Sequence, residues 1–291
     1  MFKGIYTALI TPFANGKVDE KAFQSFVEWQ VKEGVQGLVP CGTTGESPTL
    51  SHDEHNRVID LCIEVAKGRA HVMAGTGSNS TDEAIMTTRH AEKAGADSAL
   101  VVAPYYNKPT QEGLFRHFKA IHDATKIPIV IYNIPGRSGV NITDDTLARL
   151  AELPRINGLK DATGDLARPC ILRSKIKKKS IDLLSGEDMT AVAFNASGGV
   201  GCISVSSNIA PRACAEVQSA CLSGDYARAL ALHDALVPLH NVMFCETSPG
   251  PVKFAAALLG KCKPEVRLPL VEPGEDSKKH ITEVLKKLRL L

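Results

Sequence analysis

Eight short runs of apolar and β-branched residues alternate with segments of helical periodicity along most of this chain. Each run, together with the helical segment after it, takes roughly 20–35 residues, which suits one strand–helix unit. Eight such units in succession are typical of an α/β fold, the (β/α)₈ TIM barrel. The predicted strands span residues 4–10, 36–41, 71–75, 98–103, 127–133, 156–160, 181–184 and 199–204.

An open, doubly wound sheet is the alternative to a barrel. Such sheets usually have fewer strands, and those that bind dinucleotides carry a GxGxxG motif after the first strand. Only the fragment GTGSN is present here, at residues 75–79, after the third predicted strand. We therefore predict that residues 1–224 form a barrel. Three stretches of helical spacing in residues 225–291 predict a C-terminal helical extension that packs on it.

Charge and cysteine content limit the partners and the compartment. The 291 residues carry a formal net charge of +2, which gives no reason to expect nucleic acid as a partner. The eight cysteines are scattered without a CxxC motif, as is typical of a reducing compartment rather than of disulfides or a zinc site. Residues 1–13 are too short and too polar for a signal peptide or a membrane span. We expect a cytoplasmic protein that binds no membrane.

Helix boundaries are indicated by caps and by charge. Ser51 with Glu54, and Ser80 with Glu83, have the spacing of capping boxes, and each pair is predicted to open a helix. Four lysines lie close together where a later helix is predicted to end: Lys175, Lys177, Lys178 and Lys179. We interpret this basic run as a solvated helix end beside the negative pole of the helix dipole.

The sequence INGLKDATG, residues 156–164, predicts a short buried strand that ends at Lys160. Lysine is rarely buried without a partner or a function. Burial favours the neutral amine, which can attack a ketone to form a Schiff base. The alternative is a lysine whose amine reaches from the strand end into water. If Lys160 points into the barrel, strand alternation puts Ile156 and Gly158 on the same face, and Gly158 leaves room for a long side chain.

The carboxyl ends of all eight strands of such a barrel converge on one site. Residues at or just after the predicted ends include Thr43, Thr44, Tyr105, Tyr106, Tyr132, Arg137, Lys160, Gly186 and Ile203. The set contains no carboxylate cluster and no cysteine–histidine pair that would hold a metal. Structural alternatives remain for several members: Tyr132 as a strand aromatic, the threonines as turn residues, and Arg137 as a surface arginine.

Four of these strand-end sequences together resemble the dihydrodipicolinate synthase family. They are GTTGES, PYYNKPTQEGL, YNIPGRSG and GLKDATGDL, and the resemblance continues through ISVSSNIAP and VPLHNVMFCETSPGPVK toward the C-terminus. The related N-acetylneuraminate lyases share the barrel, the tyrosine and the lysine. The sequence GTTGE and Arg137 favour the synthases, whereas Asp161 stands where many synthases have glutamate.

The resemblance implies a reaction and roles for its residues. It implies that pyruvate condenses with L-aspartate 4-semialdehyde to give 4-hydroxy-tetrahydrodipicolinate, the first committed step of diaminopimelate and lysine biosynthesis, without metal or cofactor. Lys160 would form the imine. Tyr132 would transfer protons through Thr43 to Tyr106. By the same resemblance, residues that would bind the substrates are Thr44, Arg137, Gly186 and Ile203, with Arg137 on the semialdehyde carboxylate.

The resemblance also implies assembly and regulation. Tyr106 would reach into the site of a neighbouring subunit, so a dimer would be the smallest active unit, and family members are usually tetramers built from two dimers. L-lysine would be a feedback inhibitor. The residues that match its binding site are Pro48, His52, His55, Asn79, Glu83 and Tyr105. Each has a simpler reading, for example a polar first helical turn for His52 and His55 or a helix cap for Glu83.

Two other functions remain open at this stage. One is a pyruvate-dependent lyase that acts on a sugar acid, which would consume a keto-deoxy acid rather than aspartate semialdehyde. The other is a metabolite-binding barrel without catalysis, since a fold does not fix a function. The lysine, tyrosine and threonine set argues against the second alternative, because a binding module does not need a buried amine.

Overall fold

The computed structural model of the chain describes residues 1–177 and 179–291, so the prediction for Lys178 lies outside the described residues. In this part of the chain, eight parallel strands close into a barrel in the order β1-β4-β5-β6-β7-β8-β9-β10, and β10 pairs with β1. β2 and β3 form a small antiparallel hairpin outside the barrel. The strands are β1 Gly4–Ala8, β2 Phe13–Ala14, β3 Lys17–Val18, β4 Gly37–Val39, β5 His71–Gly75, β6 Ser98–Val102, β7 Ile129–Asn133, β8 Ile156–Asp161, β9 Asp182–Ser185 and β10 Gly201–Ser204.

Helices connect the barrel strands, as the sequence predicts. The α-helices are α1 Glu20–Lys32, α2 His52–Ala66, α3 Thr81–Ala94, α4 Gln111–Ala124, α5 Pro135–Ser138, α6 Asp144–Ala151, α7 Arg168–Lys175, α8 Ala191–Ala196, α9 Pro211–Leu222, α10 Tyr226–Val242, α11 Gly250–Leu258 and α12 Glu275–Lys287. The predicted TIM barrel is therefore confirmed, and α10, α11 and α12 follow it along the chain. No helix in the described ranges is long and apolar enough to cross a membrane.

The two predicted capping boxes have different outcomes. At the start of α2 the Ser51 side chain accepts from the Glu54 N–H, and the Glu54 carboxylate accepts from the Ser51 N–H, so this box is complete. At the start of α3 Ser80 accepts from the Glu83 N–H. The Glu83 carboxylate, however, turns away from the helix end to His52 and Ser78. The prediction of a second capping box is therefore wrong for Glu83, because His52 and Ser78 bind its carboxylate in place of the Ser80 N–H.

The side chains of β8 divide between the barrel interior and the outer layer. The interior is filled by a cluster that includes Phe2, Val130 and Tyr132. A Cβ on Gly158 would lie 3.1 Å from Phe2 Cδ2 and 3.2 Å from Val130 Cγ2, so Gly158 faces this interior and its lack of a side chain provides space. Ile156 instead belongs to the outer cluster between strands and helices. The prediction that Ile156 points inward is wrong.

A β-bulge explains the direction of Ile156. Ile129 pairs with Ile156, but the next residue of β7, Val130, pairs with Gly158, so Asn157 is an extra residue in β8. An extra residue reverses the alternation of side chains along a strand. Ile156 can therefore pack outward although Gly158, two positions later, faces the interior.

The basic run after α7 is not uniformly solvated. α7 ends at Lys175, as expected, and Lys175 pairs with Asp145 on the surface. Lys179 is half-buried, and its Nζ donates to the carbonyl oxygens of Leu153, Pro154 and Ile156. Burial lowers the pKa of Lys179. The interpretation of this lysine as a solvated residue is wrong, because it binds backbone carbonyls beside the start of β8.

Candidate active site

Lys160 and Tyr132 lie side by side in the barrel interior. They are direct partners in the register between β7 and β8, so their side chains leave the sheet on the same face. The Nζ of Lys160 lies 4.1 Å from the centroid of the Tyr132 ring. Only 6% of Lys160 and 5% of Tyr132 is exposed. The amine is therefore held against an aromatic face, away from bulk water, where it is suited to covalent chemistry.

Gly186, just after β9, provides the space that the lysine needs. A Cβ on this residue would lie 3.1 Å from Cε of Lys160 and 2.7 Å from Cβ of Ala162. Its backbone N–H donates to the Asp161 carbonyl at 2.7 Å, so the glycine cannot easily shift away. The predicted site residue Gly186 thus lies directly beside Lys160.

Thr43 and Thr44 follow β4 in a short 3₁₀ turn, Thr43–Gly45. Thr44 is buried and Thr43 is partly exposed. The turn ends at Glu46, whose backbone is left-handed with φ of 56°. From the barrel side, the Thr11 hydroxyl donates to the Gly45 carbonyl at 2.7 Å. A tight turn, which is bonded to Thr11 on the barrel side, therefore presents the two threonines.

A cavity of about 250 Å³ opens at the carboxyl ends of the strands. It is lined by three residues of the predicted catalytic and substrate set, Thr43, Tyr132 and Arg137. Pro48 and Tyr105, from the predicted lysine-binding set, line the same cavity. Part of each predicted set therefore borders one space, whereas Lys160, Thr44, Gly186 and Ile203 are not part of its lining.

Arg137 lies in α5, a single helical turn over Pro135–Ser138 within the IPGRSG sequence. Its guanidinium donates to the carbonyl of Ser248 at 3.5 Å, a long contact that leaves its other N–H groups available to a ligand. Glu187 lies near both Arg137 and Lys160. Burial raises the pKa of the Glu187 carboxyl, the charge of Asp188 raises it further, and the two cations oppose the rise.

Ile203 is buried near the end of β10, and its backbone is supported by a carboxylate that sequence reasoning missed. Asp188 accepts from the N–H groups of Val205 at 2.9 Å and Ser206 at 3.0 Å, and from the Ser204 hydroxyl. These bonds fix the turn that follows Ile203. The sequence SGED at the end of β9 contains the signal, an acid pair after a strand.

Tyr106 stands apart from the other predicted catalytic residues. It is 88% exposed, which is unusual for a large aromatic side chain. Its backbone is left-handed with φ of 73°, a conformation that is rare for bulky residues and is held by an N–H contact to the Ser138 carbonyl at 3.4 Å. The described chain thus presents Tyr106 to solvent in a strained turn.

A buried arginine links the strands that carry Lys160 and Tyr132. Arg168, at the start of α7, forms an ion pair with Asp161 at 3.4 Å and donates to Asn141 at 2.9 Å. Asn141 in turn accepts from the side-chain amide of Asn133 at 2.8 Å. Burial raises the pKa of Asp161, while Thr163 and Arg168 oppose the rise. The sequence signal was a polar residue immediately after each catalytic candidate in an otherwise apolar strand.

The predicted lysine-binding residues lie around the start of α2 and α3. His52 Nε2 contacts Glu83 Oε1 at 2.5 Å, which joins the two helices. The Glu83 carboxylate lies between His52 and Ser78, and hydrogen bonds to Ser78 and His52 lower its pKa. The Asn79 carbonyl accepts from the Asn107 side chain at 2.9 Å. Glu83 is therefore an ionised, partly exposed carboxylate between the starts of α2 and α3.

His55 is the one buried histidine of this group. Burial lowers its pKa to about 4, so the imidazole is neutral at neutral pH. Its Nδ1 is buried without a partner in the described residues. A neutral imidazole with a free nitrogen can accept a hydrogen bond from a ligand ammonium group.

Comparisons with known proteins identify the family to which this chain is similar. A model of the dihydrodipicolinate synthetase family matches residues 1–288. A 4-hydroxy-tetrahydrodipicolinate synthase from Rhodospirillum centenum is 61% identical over 291 residues, which is 100% of both chains. A chloride-inhibited dihydrodipicolinate synthase from Acinetobacter baumannii, solved with pyruvate, is 44% identical over 100% of both chains with a TM-score of 0.97. A lysine-bound synthase from Cyanidioschyzon merolae is 34% identical with a TM-score of 0.95, covering 100% of this chain and 99% of that one.

We expect Gly186→Ala to disable Lys160 while the barrel stays folded. The new methyl group would meet Cε of Lys160 and Cβ of Ala162, so the lysine must move. A misplacement of a catalytic group by about 1 Å can lower its reactivity by about 10²-fold. The measurement is the rate at which borohydride traps a 2-oxo acid on Lys160.

Gly136→Ala is the matched control, because a Cβ there would meet no atom within 4 Å. Trapping should proceed at the wild-type rate in this variant. A normal trapping rate in Gly186→Ala as well would mean that Lys160 does not need the space.

Proposed function

Because the chain belongs to the dihydrodipicolinate synthetase family, we propose that it condenses pyruvate with L-aspartate 4-semialdehyde to give 4-hydroxy-tetrahydrodipicolinate. The reaction is the first committed step of diaminopimelate and lysine biosynthesis. The observation that carries this proposal is the buried Lys160 amine against the Tyr132 ring at the carboxyl end of the barrel. A nucleophilic amine and a neighbouring phenol that can transfer protons are what imine formation with a ketone needs.

Lys160 acts as the nucleophile. Its neutral amine attacks the pyruvate ketone, water leaves, and an iminium ion forms. The iminium withdraws electrons from the adjacent methyl group, which loses a proton to give an enamine. The enamine carbon then bonds to the aldehyde carbon of the semialdehyde. Finally, the amino group of the semialdehyde attacks the imine carbon, closes the ring and releases the Lys160 amine.

Tyr132, Thr43 and Tyr106 form the proton relay. Tyr132 is buried beside Lys160, and it lines the same cavity as Thr43. A phenol is a poor base alone at neutral pH, but a relay can replace its proton as it leaves. The exposed, strained Tyr106 completes the relay of a second copy of the chain, so the active unit is at least a dimer. We extend the proposal to a tetramer built from two dimers.

Of the four residues assigned to the substrates, Arg137 lines the cavity, and the other three lie elsewhere at the carboxyl ends of the strands. Thr44, Gly186 and the backbone at Ile203 hold pyruvate. Two observations support this assignment: the 3₁₀ turn presents the Thr44 hydroxyl, and Gly186 lies beside Lys160. Arg137 binds the carboxylate of the semialdehyde, because a guanidinium can donate two parallel hydrogen bonds to a carboxylate. The cytoplasm is the proposed location, in keeping with eight free cysteines.

L-lysine is the proposed feedback inhibitor, bound by Pro48, His52, His55, Asn79, Glu83 and Tyr105. Glu83 receives the α-ammonium group, and Asn79 and Tyr105 bind the carboxylate. The neutral His55 and the Pro48 carbonyl accept from the ε-ammonium group. Since Pro48 and Tyr105 line the same cavity as Thr43, a ligand there lies next to the relay. The lysine-bound relative from Cyanidioschyzon merolae supports this ligand.

Borohydride should trap pyruvate on the peptide that contains Lys160, because only the imine is reduced to a stable secondary amine. Peptide mass spectrometry locates the adduct, and a coupled assay measures condensation with the semialdehyde. An adduct on a different lysine contradicts the mechanism. Consumption of a keto-deoxy sugar acid in place of the semialdehyde would favour the lyase alternative.

Arg137→Ala separates the two half-reactions. Trapping of pyruvate should stay close to wild type, since the guanidinium is assigned to the second substrate. The KM for the semialdehyde should rise strongly. Equal damage to both steps would indicate a structural arginine.

Tyr132→Phe and Tyr106→Phe should each lower turnover by about 10²–10⁴-fold, the range of a lost acid–base group. Circular dichroism should be unchanged, because phenylalanine keeps the ring. When residues act as a unit, replacing both lowers activity little more than replacing one. The double variant should therefore retain far more activity than the product of the single losses predicts. Fully multiplicative losses would mean that the tyrosines act independently.

L-lysine should inhibit partially and without competing with pyruvate, since the residues proposed to bind it are different from those proposed to bind pyruvate. The coupling expected of such a site is about 1–3 kcal/mol. Glu83→Thr should abolish inhibition and keep basal activity, whereas Glu92→Thr on the same helix should leave inhibition intact. An enzyme indifferent to millimolar L-lysine, with no heat of binding by calorimetry, would return Glu83 and His52 to a structural role.

A further inference from the structure

Glu46 directly follows the turn that displays Thr43 and Thr44. It is the last residue of the sequence GTTGE, and its backbone is left-handed with φ of 56°. Only 1% of Glu46 is exposed, so its carboxylate points into the protein rather than into the cavity mouth. A buried carboxylate must be paired or hydrogen-bonded, because leaving it bare in a low-dielectric interior is very costly. The partner of Glu46 therefore decides where this turn can lie.

That partner is Lys253 of α11, more than two hundred residues away in sequence. Lys253 Nζ lies 2.6 Å from Glu46 Oε1, and both side chains are 0% exposed. The second carboxylate oxygen, Oε2, accepts from the backbone N–H of Arg267 at 3.0 Å. Both oxygens of Glu46 are thus bound by the segment that follows the barrel.

Phe13 shields this ion pair. Its ring centroid lies 4.0 Å from Lys253 Nζ and 4.3 Å from the guanidinium carbon of Arg267. The Arg267 guanidinium also donates to the Thr49 carbonyl at 2.8 Å and pairs with Glu54 of α2. Burial lowers the pKa of Lys253, and the charge of Glu46 opposes the change. Water is excluded, and the bonds to Glu46 are directional and short.

The catalytic turn is therefore held from two sides. The Thr11 hydroxyl binds the Gly45 carbonyl from the barrel, and Lys253 with Arg267 binds Glu46 from the extension. A Cβ on Gly45 would lie 3.0 Å from the Leu9 carbonyl oxygen, so the turn sits directly on the end of β1. Movement of Glu46 by even a small distance would be transmitted to Thr44, two residues before it.

We propose that Lys253 is a positioning residue for the condensation, which fixes Thr43 and Thr44 through its ion pair with Glu46. This inference rests on the proposed function. Lys253 contacts no reacting atom; it sets the position of the two hydroxyls that bind pyruvate and transfer its protons. The C-terminal helical extension thereby has a role in catalysis besides covering the barrel.

The test compares three variants in the full chain: Lys253→Met, Glu46→Gln, and the double variant that carries both. Lys253→Met should lower kcat by about 10–100-fold, the effect of a slightly misplaced catalytic group, and should raise the KM for pyruvate. Borohydride trapping on Lys160 should slow in parallel. All assays are run at a temperature at which circular dichroism finds the variant folded.

Lys179→Met is the matched control. Lys179 is a second lysine whose amine binds protein groups, but it lies between α7 and β9, and its amine reaches Pro154 and Ile156 at the end of β8 opposite to Lys160. This variant should lose thermal stability and keep the kcat and pyruvate KM of the wild type.

The double variant separates positioning from stability. When both charges are removed, no uncompensated charge remains in the interior. The Tm of the double variant should therefore be higher than that of Lys253→Met, because buried ion pairs can be replaced without loss of stability. Its kcat should stay low, because nothing directs the turn. Recovery of both Tm and kcat would overturn the proposal, and so would a folded Lys253→Met with wild-type kcat and trapping.

If Lys253→Met does not fold, Glu46→Gln and the double variant test the proposal through the same measurements of kcat, pyruvate KM and trapping. Glu46→Gln can keep an acceptor for the Arg267 N–H but loses the charge and the acceptor for Lys253, so a wild-type kcat in it counts against the proposal. The wild type is assayed first with pyruvate and the semialdehyde. Failure of that assay would reject the proposed function, whereas an active wild type with fully active variants would reject only the positioning role.

Discussion

The β-bulge between β7 and β8 is the constraint on which the candidate site depends. It adds Asn157 to β8, so Ile156 packs against the helices while Gly158 and Lys160 face the interior. Without the extra residue, an outward Ile156 would carry Lys160 outward too, because side chains alternate strictly along a regular strand. The same pairing brings Lys160 opposite Tyr132. One irregular residue thus determines that the amine meets an aromatic ring in the interior rather than the outer helices.

The sequence predicted the barrel well because its eight strand–helix units repeat a simple pattern, and it predicted the strand-end residues because parallel strands share one carboxyl end. It could not predict the bulge, since Asn157 looks like any strand residue until its partner strand is known. The direction of the Glu83 carboxylate and the carbonyl partners of Lys179 were missed for the same reason: each depends on residues distant in sequence. Local spacing describes a helix cap, but tertiary neighbours compete for the same side chain.

Tyr132 and Lys160 are each followed in their strand by a buried polar residue, Asn133 and Asp161, that points away from the barrel interior. Glu46, which comes after the threonine turn, is buried as well. Strand alternation makes this arrangement natural, because neighbouring side chains face opposite layers. The outward residue joins a polar network, with Arg168 for the two strands and Lys253 for the turn. The side chains of the site are therefore held in place by polar contacts in the layer between strands and helices, away from the reacting groups.

The buried pair of Glu46 and Lys253 also restricts the evolutionary routes open to this chain. Replacing either partner alone leaves an uncompensated interior charge, which typically costs about 3–5 kcal/mol, a large share of the stability of an ordinary domain. An ancestor that changed one residue first would cross a fitness valley before the second change could restore the fold. The two positions are 207 residues apart and belong to separate elements, yet we expect selection to act on them as a pair. We expect an exchange of the C-terminal segment between relatives to preserve the fold only where the incoming segment still compensates the charge at position 46.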